Sequence, residues 1–92
     1  METHILTDRG IIERPGALQA WIRAMAASGH RTARLDLGAV ALPTSNLLVA
    51  LGLAVREAGE ADIRLVATNV RPRVHSALIG LGFAGTLEIE GS

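Results

Sequence analysis

From Leu47 to Val55 the chain runs without a single polar side chain. That run is longer than an ordinary strand and well short of the roughly 20 apolar residues a membrane-spanning helix needs. A polar step, Pro43-Thr44-Ser45-Asn46, precedes it, and Arg56-Glu57-Ala58-Gly59 follows. Together these features predict a helix that starts near Thr44 and ends near Gly59. Leu47, Leu51, Ala54 and Ala58 fall on one stripe of it. Leu48, Val49, Gly52 and Val55 are left over on other faces, so the helix is richer in apolar surface than one buried stripe requires.

The segments on either side change period. In Thr32 to Leu37, Ala33, Leu35 and Leu37 alternate with Arg34 and Asp36, and in Asp62 to Thr68, Ile63, Leu65 and Ala67 share one side. Both read as strands. Leu18, Trp21, Ile22 and Met25 have helical spacing, which predicts a helix over about Gly16 to Ser28, with Gly29 at its end. Asn69 and Pro72 mark a further helix start, carried on by Val74, Ala77, Leu78 and Leu81 and closed by Gly82. Thr86-Leu87-Glu88-Ile89-Glu90 alternates as a last edge strand. At the N-terminus His4 to Thr7 and Ile11 to Glu13, around Asp8-Arg9-Gly10, suggest a small hairpin. Strands alternating with helices predict an α/β fold: a mixed, mostly parallel sheet with helices packed on it. At 92 residues the chain fits one domain, spanning 1–92.

Composition narrows the function. Nine cations balance nine anions, so no basic excess attracts a phosphate backbone and nucleic acid is not an expected partner. Trp21 and Phe83 are the only aromatic residues, too few for a base-stacking platform. The absence of cysteine excludes disulfides, thiolate metal sites and cysteine nucleophiles. His4, His30 and His75 share no ligand spacing, and no metal is assigned to them. No phosphate-binding glycine loop, nucleophile elbow or nucleophile–base pair is visible, so neither an enzyme nor a cofactor is expected. The Met1-Glu2-Thr3-His4 start lacks the basic, then apolar, pattern of a secretion signal. A cytoplasmic location without membrane insertion is the expectation.

Arg34-Leu35-Asp36-Leu37, Val40-Ala41-Leu42 and Thr44-Ser45-Asn46-Leu47 follow one another as strand, loop and helix start. Downstream come Ile63-Arg64-Leu65-Val66, then Val70-Arg71-Pro72-Arg73-Val74, then Leu78-Ile79-Gly80-Leu81-Gly82-Phe83. This ordered set resembles the STAS domain family, which includes the bacterial anti-anti-sigma factors, also called anti-sigma factor antagonists. The resemblance implies a STAS-like fold and a non-catalytic regulator of transcription that acts by binding a protein. The implied partner is an anti-sigma factor, often one with serine kinase activity. An alternative implied role is a cytoplasmic subunit of an ABC lipid transporter, bound to the ATPase. Thr44 aligns with the hydroxyl residue that partner kinases phosphorylate, and Ser45 is its neighbour. Pro43 stands where the family carries an acidic residue, and Asn46 where it carries glycine.

A threonine at a helix start has an ordinary task, accepting a hydrogen bond from an unpaired backbone N–H. Phosphorylation at Thr44 would add about 1.5–2 negative charges there. The helix dipole tolerates that charge, while a partner's surface would meet a reversed potential. The expected contact surface is Pro43, Asn46, Leu48, Val49 and Gly52, the glycine suggesting close approach of something to that face. Arg71 and Arg73 flank Pro72 near a helix start, where cations oppose the dipole. They are either plain solvated charge or anchors for a carboxylate or phosphate.

Overall fold

The computed structural model describes residues 3–14, 16–83 and 87–90. The elements run β1 (Thr3–Ile5), α1 (Asp8–Glu13), α2 (Ala17–Ala27), β2 (Thr32–Asp36), α3 (Ser45–Glu60), β3 (Arg64–Thr68), α4 (Pro72–Gly80) and β4 (Glu88–Ile89). The four strands pair in the order β1-β2-β3-β4, and every pairing is parallel. The α/β fold class stands, while no antiparallel strand occurs among the described residues.

The expected N-terminal hairpin is replaced by a helix. Thr7 takes extended backbone (φ −124°, ψ 157°), and its hydroxyl accepts the Gly10 N–H at 3.0 Å, so it caps α1. A Cβ on Gly10 would stand 3.0 Å from that same hydroxyl. The glycine that suggested a turn thus leaves room for a helix cap. The predicted last strand survives as β4, while Thr86 lies outside the described residues.

Each crossover steps to the next strand in one direction. Right-handed crossovers then bring the helices to the same face of the sheet. Ala33, Leu35, Leu65 and Ala67 point to that face and join one continuous core with Ile22, Leu47, Leu51, Val74 and Leu78. Parallel sheets are normally covered on both faces, and here no described helix covers the second one. It carries Arg34, Val66 and Glu88 side by side in register. Val66 is only 3% exposed yet lies outside the core cluster. Ion pairs from Arg34 to Glu90 (2.7 Å) and from Arg64 to Glu88 flank it. Side-chain stems with charged tips thus cover the apolar centre of a face that meets water.

Helix ends are set locally. α2 closes with Gly29 at φ +84°, and the His30 N–H reaches back to Met25 C=O at 3.0 Å. α3 continues through Gly59 and stops instead at Asp62, which takes φ +58° while the Ile63 N–H bonds Ala58 C=O at 2.8 Å. Aspartate is among the few non-glycine residues that adopt this conformation readily. No described helix is long and apolar enough to cross a membrane.

Candidate functional site

The carboxyl ends of β2 and β3 carry the loop that leads into α3. Asp36 organises its start. One carboxylate oxygen accepts the Gly38 N–H at 2.8 Å and the other accepts the Asn69 side-chain amide at 3.1 Å. Asn69 sits at φ +54°, and a Cβ on Gly38 would come within 3.3 Å of its side chain. Asp36 is therefore a brace between two loops. Arg71 adds a third tie, its Nε donating to Gly38 C=O at 2.8 Å. The guanidinium holds the loop of its own chain, so the reading of Arg71 as plain solvated charge gives way to a structural role. Arg73 is exposed.

Held at this end, Thr44 enters α3 with φ −70° and ψ 160°, and its Oγ1 accepts the Leu47 N–H at 3.2 Å. Its ordinary capping task is therefore performed. Thr44, Ser45 and Asn46 are all exposed. Four apolar side chains also lie open: Ile12 of α1 (66% exposed) and Leu42 of the loop (50%) beside them, and Val49 (62%) and Leu53 one and two turns along α3. Ile12, Leu42, Thr44 and Asn46 share a shallow cleft of about 150 Å³, and Leu42 with Pro43 lines a second depression with Pro72 and Arg73. The loop is thus the middle of a surface bounded by α1 on one side and the start of α4 on the other.

Of the expected contact residues, Pro43, Thr44, Asn46 and Arg73 come together around the loop, and Val49 lies open one turn along α3. One expectation needs correction. Leu48 is half-buried and packs against the core, because its position turns toward the inner layer. Gly52 faces open space, with nothing within 4 Å of a Cβ built there, so no described part of the chain approaches that face closely. Sequence reading missed Ile12, Leu42 and Leu53. Leu53 follows Val49 by four positions and was legible as the same helical stripe. Ile12 was hidden by the hairpin assignment, which gave it a strand's alternation.

No protein-family model matches the chain, and no curated protein matches it. Among solved structures it is similar to a candidate anti-sigma factor antagonist from Thermotoga maritima, with a TM-score of 0.69 at 12% identity. The superposition covers 98% of this chain and 74% of that one. With four strands in one parallel sheet and its helices against one face, the chain has a STAS-like fold.

Proposed function

We propose that this chain is a non-catalytic regulator that binds a protein partner through the Pro43–Asn46 loop and the outward stripe of α3, in the manner of an anti-sigma factor antagonist. The observation that carries the reading is the exposed apolar set Leu42, Val49 and Leu53, with Ile12, around a helix-capping hydroxyl. Large apolar side chains grouped on a surface rather than scattered favour a protein interface. The STAS-like fold of a candidate anti-sigma factor antagonist supports the same class of partner.

Thr44 is the proposed switch. Its side chain is exposed at a helix N-terminus, where an added phosphate meets unpaired backbone N–H groups and the positive end of the dipole. The domain can therefore stay folded while its contact surface changes sign. Ser45, one residue on, is the secondary acceptor.

The test is a binding titration against an anti-sigma factor that has serine kinase activity, followed by incubation with ATP and intact-mass measurement. Val49→Glu or Leu53→Glu is expected to abolish binding with the fold retained, and Thr44→Glu to weaken it. Unchanged affinity in the two α3 variants overturns the proposed contact surface. Equal phosphate uptake by wild type and Thr44→Ala overturns the switch.

A further inference from the structure

A second feature lies on the far side of α1, at the outer edge of the sheet. β1 is an edge strand with no neighbour beyond it among the described residues. The Leu6 N–H donates to Asp36 C=O at 3.0 Å in continuation of the ladder to β2. Backbone groups alternate sides along a strand, so the N–H and C=O of Ile5, in register with Asp36, point outward. An edge of this kind is a template for another strand. The Ile5 side chain is also 64% exposed.

Beside the edge lies a groove of about 330 Å³. β1 and the residue after it supply His4, Ile5 and Leu6; α1 and its end supply Arg9 and Arg14; α2 supplies Leu18. An open strand edge facing a helix across a partly apolar groove is the arrangement that accepts an extended peptide. Main-chain hydrogen bonds give affinity, and alternate side chains fall into the groove. The charges say what such a peptide carries. Arg9 is paired with Glu13 at 3.3 Å, whereas the Arg14 guanidinium has no partner among the described residues. A carboxylate completes it.

We propose that the β1 edge and its groove bind an extended peptide segment of another protein, alternating apolar and polar residues and bearing an acidic side chain, as a fifth strand. Two other occupants fit less well. A second copy offering its own β1, Thr3–Ile5, brings no carboxylate in that strand to Arg14. A free fatty acid satisfies Arg14 but leaves the Ile5 N–H and C=O unpaired. The site is separate from the Thr44 loop, with α1 between them and only Ile11 lining both clefts.

The test is selection of a phage-displayed library of random eight-residue peptides on the immobilised full chain, followed by titration of the synthetic, end-capped consensus. Enriched sequences should place apolar residues two apart and include Asp or Glu. Ile5→Pro removes one outward N–H without touching the ladder to β2, a change edge strands tolerate. It should lower affinity about tenfold or more, as should N-methylation of alternate peptide amides. Arg14→Glu should weaken the acidic peptide and favour its lysine counterpart. Amide spectra of the variants verify folding, and the methylated peptide tests the strand geometry even where a variant fails to fold. The proposal is overturned if no sequence enriches, if Ile5→Pro and the methylated peptide bind undiminished, or if peptide-induced shifts fall at Val49 and Leu53. It is also overturned if octanoate binds as tightly as the consensus peptide, or if the chain alone dimerises through this edge.

Discussion

The two long sides of α3 are built from the same residue types and do opposite things. Leu47, Leu51, Ala54 and Ala58 are buried between the sheet and α2, while Val49 and Leu53 on the other side are open to water. Composition does not separate them, since both are aliphatic and leucine occurs on each. Position does, because the inner stripe repeats at the spacing that faces one packed layer and the outer one has no second layer to meet. The inner side is part of folding; the outer side is surplus apolar surface that folding leaves unused.

That contrast is tested most severely by Leu51→Ala. The side chain is fully buried, so truncation should cost about 2–5 kcal/mol of stability, read as a shift in the urea midpoint. A loss under about 1 kcal/mol would mean that the inner stripe is not a packed core. Next in size is Thr44→Ala, which removes the cap and should destabilise by about 1 kcal/mol, with Thr44→Ser recovering most of it. Val49→Glu should move stability by no more than about 0.5 kcal/mol, as exposed substitutions do, while eliminating partner binding. A large loss of stability there would place the outer stripe in the core and break the comparison. Leu48→Glu provides the intermediate case, losing both stability and binding because its side chain packs against the core.

The smallest effect concerns pH. Partial burial holds His4 below its ordinary pKa of 6.5, with the Trp21 ring tilted against it at a centroid distance of 4.9 Å. Between the lowered value and 6.5 the unfolded chain binds more protons than the folded one. Stability should therefore fall as pH drops through 6.5 toward that value. His4→Gln should flatten that slope in urea titrations across pH 5 to 8. Unchanged slope would show that His4 is equally solvated in both states.

Legibility in the sequence followed the range of the interaction. The buried stripe of α3, the alternation of β2 and β3, Gly29 and Pro72 were readable because each is fixed by spacing or by a residue's own backbone preference. The N-terminal segment was not. Asp8-Arg9-Gly10 satisfies turn chemistry and helix-start chemistry alike, and only the Thr7 cap and the parallel pairing of β1 with β2 select the helix. Gly59 looked like the natural end of α3, yet Asp62 ends it, since its 6→1 and 5→2 hydrogen bonds accompany the entry into β3.

By itself, then, the sequence determined the order of elements from α2 onward, the inward stripe of each long helix and the hydroxyl at the start of α3, all consequences of local periodicity and capping. Tertiary structure alone decided which apolar residues stayed outside, that Asp36 and Arg71 brace the loop, and that Ile12 stands beside Leu42 and Thr44. Those outcomes depend on contacts between segments far apart in the chain, for which no local pattern carries a signal. Packing one layer of helices on one face of a sheet buries what that layer covers and exposes whatever apolar surface remains.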